Sequence, residues 1–204
     1  MLIGDVGVGK TFLVKRFVSG MIPQRNMPTV GIEFAKKVVT IRNGGKMMTQ
    51  IWDTAGQEKY RAICQNQYKD ALGAMIVFDL TRKNTFDSCV SWIEEFKLNA
   101  PEMAQIMLVG NKKDIVEMSP ELREVSEKDG KKFCELQQLL YKETSAVSNK
   151  NVDDAFVDLL QEIYYTVNAR NPLEAGPVMR RGFTLNNSVV EEGGLKSEAK
   201  KGCC

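Results

Sequence analysis

A chain that runs from Met1-Leu2-Ile3 straight into Gly4-Asp5-Val6-Gly7-Val8-Gly9-Lys10-Thr11 has few ways to fold. The segment fits G-x-x-x-x-G-K-[ST], a turn between a buried strand and a helix whose backbone wraps an anion. Gly7 and Gly9 let the main chain close tightly and aim its N–H groups inward. Lys10 brings a cation to the outer phosphates, and the Thr11 hydroxyl can ligate Mg²⁺. The helix that starts there points its positive end at the same charge. Average residue frequencies give this pattern by chance in on the order of one in a hundred chains of such length. Its place between a strand and a helix makes chance rarer still. Val6, Gly7, Val8, Gly9, Lys10, Thr11 and Phe12 are thus expected to form a phosphate site.

The rest of the chain alternates short apolar runs with helix-period segments, the pattern of an α/β fold. Met1 to Ile3 reads as the stub of a buried strand and Lys10 to Val18 as a helix. Phe34 to Arg42 and Met47 to Asp53 read as strands joined by an Asn43-Gly44-Gly45 hairpin turn. Ala74 to Phe78 and Ile106 to Val109 read as buried parallel strands, with a helix over Thr85 to Asn99 between them. A helix near Ser126 to Leu136 and a short strand near Leu139 to Lys142 follow. Val152, Ala155, Phe156, Leu159, Leu160 and Ile163 then keep helical spacing. Residues 1 to 168 are expected to form one domain. From Ala169 the breakers Pro172, Gly176 and Pro177 point to a flexible tail, residues 169 to 204.

Phosphate binding does not choose a base. Asn111-Lys112-Lys113-Asp114, just after an apolar strand, does. A carboxylate at Asp114 can accept from the N1–H and the 2-amino group of guanine, whereas adenine offers a lone pair at N1. A site built this way discriminates by roughly 10⁴ to 10⁵. Asp53-Thr54-Ala55-Gly56-Gln57 closes another strand, where ligand groups collect. Asp53 can hold the Mg²⁺ shell, the Gly56 N–H can meet the terminal phosphate, and Gln57 can orient the attacking water as the catalytic residue.

Taken in order, GDVGVGKT, PTVGIEF, WDTAGQE, NKKD and ETSA, with Cys203-Cys204 at the end, resemble the Rab family of Ras-like small GTPases. The resemblance covers residues 1 to 168 and the last two. It implies a Ras-like P-loop NTPase fold with a mixed, mostly parallel six-stranded sheet and helices on both faces. It implies a switch that cycles between GTP and GDP with Mg²⁺ and recruits effectors in vesicle traffic. Thr11, Thr29 and Asp53 are then the metal residues, with Thr29 sensing the γ-phosphate. Glu143-Thr144-Ser145-Ala146 resembles the loop whose amides read the guanine O6, which adds Ser145, Ala146 and Val147 to Asn111, Lys112 and Asp114. Partners of that kind are an exchange factor, a GTPase-activating protein, a prenylation escort, a GDP-dissociation inhibitor, and effectors that read residues 24 to 34 and 54 to 68. A monomer on the cytoplasmic face of an endomembrane or vesicle, exchanging with cytosol, is expected.

Composition fits these expectations. The net charge is +2, with 28 basic residues scattered along the chain, so nucleic acid gains no support as a partner. No histidine is present, which excludes histidine catalysis and histidine-ligated zinc. Cys64, Cys89 and Cys134 lack zinc spacing and read as reduced structural thiols. Cys203 and Cys204 match a Rab-type double geranylgeranylation signal, and two lipids anchor where one does not. The tail carries six basic residues and four glutamates, too even a balance for charge to dominate membrane attachment.

Several positions depart from the family pattern. The first strand is nearly absent, so either a truncated N-terminus or a poorly stable protein is expected. Val6 stands where relatives carry Gly, Ser or Ala, in the space needed by Gln57 and an activator, so slow hydrolysis is expected. The alternative reading is therefore a GTP-bound scaffold with little turnover. Ile22, Asn26 and Val147 suggest a looser base pocket and faster nucleotide release. Gln67 leaves the aromatic effector cluster with Phe34 and Trp52 incomplete.

Overall fold

The computed structural model describes residues 1–22, 29, 31–56, 61–170, 179–180 and 183–184. Leu2–Ile3 (β1) enters the glycine loop and Lys10–Ser19 (α1) leaves it. Ile32–Thr40 (β2) and Lys46–Thr54 (β3) pair antiparallel in the register Thr40 opposite Lys46. Their turn closes with Gly44 at φ 84° and the Ile41 N–H bonded to the Gly45 carbonyl, as the Asn-Gly-Gly sequence predicts. Arg61–Tyr68 (α2), Gly73–Asp79 (β4), Lys83–Asp87 (α3) and Cys89–Asn99 (α4) follow. Gln105–Asn111 (β5), Lys113–Met118 (α5), Glu127–Gln137 (α6), Leu140–Glu143 (β6) and Val152–Arg170 (α7) complete the core.

The sheet order is β2-β3-β1-β4-β5-β6, with every pair parallel except β2 with β3. Side-chain alternation sorts the apolar residues onto two faces. Met75, Val77, Met107 and Val109 pack with α1 and α7, where Phe17 stacks on Phe156. Ala74, Ile76, Phe78, Ile106 and Leu108 pack with Tyr68, Trp92, Ile93, Phe96 and Val116, from α2, α4 and α5. Helices therefore cover both faces, as expected.

Some local expectations need correction. The helix expected over Thr85 to Asn99 begins earlier and is divided at Ser88 into α3 and α4, although Ser88 keeps helical angles. The helices α2 and α5 show no clear apolar period, because RAICQNQY has few strongly apolar residues and KDIVEM is too short. The final helix runs through Arg170, two residues into the expected tail. Within that tail, Met179–Arg180 (β7) pairs antiparallel with Phe183–Thr184 (β8). Residues 185–204, with Cys203 and Cys204, lie outside the described residues, as do Asn26 and Gln57. No helix among the described residues is long and apolar enough to cross a membrane.

The stub of a strand is central. Leu2 and Ile3 are fully buried between β3 and β4. The Met1 ammonium donates to the Gly73 carbonyl at 2.8 Å, in the place a preceding residue's ladder bond would take, and burial lowers its pKa from 8.0 to about 5.

Candidate functional site

Three loops at the carboxyl ends of β1, β3 and β5 meet where parallel strands place their ligands. Gly9 caps α1 in a left-handed conformation, φ 100°, and a Cβ there would lie 2.3 Å from the Asn111 amide nitrogen. Only glycine fits. Lys10 is 5% exposed and its ammonium donates to the carbonyls of Gly4 and Asp5 at 2.7 and 2.8 Å. That holds the cation across the loop rather than in solvent. Val8 is fully buried and Phe12 packs half-buried against the core, so both can contribute only backbone to a ligand. Val6, in contrast, exposes about half its surface at the mouth.

Gly56 presses its backbone onto the loop, since a Cβ there would lie 2.5–2.6 Å from the Asp5–Val6 peptide. The other side of Asp5 is held by the Trp92 indole, which donates to its carboxylate at 2.7 Å.

The metal expectation has a physical counterpart. The hydroxyls of Thr11 and Thr29 meet at 2.5 Å. Asp53 is 2% exposed, and both its carboxylate oxygens are buried without a hydrogen-bond partner among the described residues. Burial raises its pKa to about 6, against the opposing pull of Thr11 and Lys10. A buried carboxylate left unpaired is costly, and a hard oxygen-binding cation such as Mg²⁺ fits this donor set.

At the base end, Asn111 is 2% exposed and donates to the Val8 carbonyl at 2.9 Å while accepting from the Thr144 hydroxyl at 3.3 Å. Lys112 takes a left-handed conformation, φ 70°, and Asp114 follows in the first turn of α5. The Ser145 hydroxyl donates to Asp114 at 2.5 Å, which leaves the second carboxylate oxygen for a base. Ala146 is buried and Val147 is exposed, so they too offer backbone amides.

Sequence reasoning missed the groups that brace this site. Asp79, fully buried at the end of β4, accepts from Lys112 at 2.6 Å, Arg82 at 2.9 Å and Thr81 twice. Burial opposes ionisation there, but Lys112 and Thr81 outweigh it and hold the pKa below the ordinary value. Arg82 also reaches the Val6 carbonyl at 3.4 Å. Behind β6, Glu143 accepts from Arg123, Lys113 and Tyr141. Phe34 and Trp52 do form a tilted pair, with ring centres 4.8 Å apart. Cys89 and Cys134 are free and buried, and burial pushes the Cys134 thiol up to about 12.

A sequence model of the Ras family matches residues 1–165. The Ras-related protein RABA3 of Arabidopsis thaliana is 40% identical over 210 aligned positions that span the whole chain and 87% of the relative. Ras-related protein Rab11B of Nicotiana tabacum is 41% identical, spanning all of this chain and 91% of that one. Ras-related protein Rab-11A of Dictyostelium discoideum is 40% identical, with 92% of its length spanned.

Proposed function

The chain belongs to the Ras family, as a Rab-like small GTPase that binds GTP and GDP with Mg²⁺, and from that premise we propose how its own residues do the work. The backbone of residues 6 to 12 and the Lys10 ammonium hold the phosphates. Asn111, Lys112 and Asp114, with the amides of Ser145, Ala146 and Val147, hold the guanine. Thr11, Thr29 and Asp53 hold Mg²⁺, which supplies positive charge against the phosphates when bound. Gln57 orients the attacking water, and the Gly56 N–H meets the terminal phosphate. The observation that supports this reading is the Asn111 bond to the Val8 carbonyl, which ties the loop after β5 to the loop after β1.

Residues 1 to 168 form the nucleotide domain in this reading, and 169 to 204 a tail lipidated at Cys203 and Cys204. Lipids place the protein on the cytoplasmic face of an endomembrane, and partners read residues 24 to 34 and 54 to 68 as nucleotide state. An exchange factor, an activating protein, an escort and a dissociation inhibitor of the Rab kind act on it.

Val6 favours a second reading, a GTP-loaded scaffold that turns over slowly. Its side chain is half exposed next to the Gly56 contact, in the space that Gln57 and an activator are expected to need. In single-turnover assays, Val6→Ser should release phosphate about tenfold faster, or about 1.4 kcal/mol off the barrier. An unchanged rate would show that the methyl groups do not obstruct Gln57.

A further inference from the structure

The departures at Ile22 and Val147 point to a loose base pocket, yet one side chain closes that end of the site from behind. Arg16, in the last turn of α1, points into the loop that follows β6. Its Nε donates to the Ala146 carbonyl at 2.8 Å and its Nη2 to the Val147 carbonyl at 2.9 Å. Its Nη1 donates to the Gly20 carbonyl at 2.6 Å, at the C-terminal cap of α1. One guanidinium thus satisfies three carbonyls, two of them in a segment 130 residues away in sequence.

The consequence follows from peptide geometry. A trans peptide is planar, so its C=O and N–H point in opposite directions. Holding the Ala146 carbonyl toward Arg16 turns the N–H of the same peptide, that of Val147, to the opposite side of the loop. Holding the Val147 carbonyl does the same for the N–H of Ser148, which donates to the Ser145 hydroxyl at 3.0 Å. The Ser145 hydroxyl in turn donates to Asp114. Arg16 therefore stands at the back of a chain of bonds that ends on the carboxylate facing the base.

We propose that Arg16 is a positioning residue for guanine: it fixes the 145–148 loop so that its amides and Asp114 stay aligned with the base, and it retains the nucleotide without touching it. The inference rests on the assignment of this end of the site to guanine. A planar fork that engages three carbonyls has no lysine equivalent, because an ammonium is a point donor. Hydrogen bonds to charged groups are worth more than neutral ones, and exposure of two of these three lowers their share.

The test uses the full chain with Arg16→Met and Arg16→Lys, loaded with a fluorescent GDP analogue and Mg²⁺. Both variants should release the analogue roughly tenfold faster than wild type, equivalent to about 1.4 kcal/mol. Single-turnover hydrolysis of bound GTP should stay within about twofold, because the phosphate end does not depend on this loop. Release at the wild-type rate in Arg16→Met would overturn the inference. So would equal losses in retention and hydrolysis with a matching fall in melting temperature, which would mark a general loosening of α1. Full rescue by Arg16→Lys would also overturn it, since one donor would then suffice. A wild-type chain that failed to retain GDP would overturn the guanine assignment as well, which separates the two failures.

Discussion

Asp114→Asn should lower GDP affinity by on the order of 10⁴ and make xanthosine diphosphate the better ligand. Both oxygens of Asp114 have defined work in this site. One accepts from Ser145 at 2.5 Å and keeps a second lone pair, so in the proposed assignment the two oxygens take guanine's N1–H and 2-amino group one each. An asparagine turns its amide to keep one of these relations at most. It then leaves a guanine donor facing an amide N–H, and the unmatched groups are shut away from water. Xanthine carries an oxygen where guanine carries the 2-amino group, so the same amide N–H becomes a donor with an acceptor. Competition between GDP and xanthosine diphosphate for the loaded fluorescent analogue measures the exchange directly. Retained guanine preference in Asp114→Asn would mean that the base is read elsewhere.

Glu143→Ala should cost about 3 kcal/mol of folding stability, with a lowered urea midpoint, even when nucleotide saturates the site. Glu143 is 4% exposed and accepts from Arg123 at 2.7 and 3.0 Å, from Lys113 at 3.0 Å and from the Tyr141 hydroxyl at 3.1 Å. Burial by itself would raise its pKa, but Arg123 and Lys113 outweigh burial and hold it below the ordinary carboxylate value. A group depressed in this way contributes stability above its unfolded pKa and loses it as pH falls through the folded one. Removing the carboxylate leaves two cations and a phenol partly buried without their acceptor. The double variant Glu143→Ala/Arg123→Ala should therefore lose less than the sum of the two single losses. Additive losses would show that the cluster is not coupled. The same acid sits at the start of the loop proposed to read guanine, so part of the stability loss should reappear as faster nucleotide release.

The half of the proposed site that is assigned to the ligand stands in contiguous runs, which a sequence displays directly. Gly4 to Thr11, Asp53 to Gln57 and Asn111 to Asp114 each carry their chemistry at fixed spacing, and β1, β3 and β5 bring them together. The half that braces the site was not legible. Arg16 reaches the carbonyls of Ala146 and Val147, Trp92 reaches Asp5, and Arg82 reaches the Val6 carbonyl. Each joins residues distant in sequence through a backbone atom or an ordinary side chain, and neither leaves a spacing to read. Among elements, the strongly apolar strands AMIVF and IMLV were legible because burial on both faces demands such runs. The helix α2 was not, since its packing side rests on few apolar residues, Tyr68 among them. Val147 shows the limit of reading one position alone. As a missing lysine it points to a loose pocket, yet its carbonyl is held by Arg16.

The two-residue strand β1 has one more consequence, for how the fold comes apart. It pairs with β3 at Leu2 opposite Asp53 and with β4 at Leu2 and Ile3, to which Met1 adds backbone bonds with Gly73 and Met75, so the shortest pairing in the sheet is a seam that sets the β2–β3 hairpin apart from the β4–β5–β6 block. Local opening along such a seam needs far less than global unfolding. The phosphate loop and Asp53 lie at the seam, whereas Asn111 and Asp114 belong to the β4–β5–β6 block. A bound nucleotide therefore rivets the two parts, adding its own binding free energy to their association. Amide hydrogen exchange in the hairpin becomes a gauge of occupancy, slow when the rivet is in place and fast when it is gone.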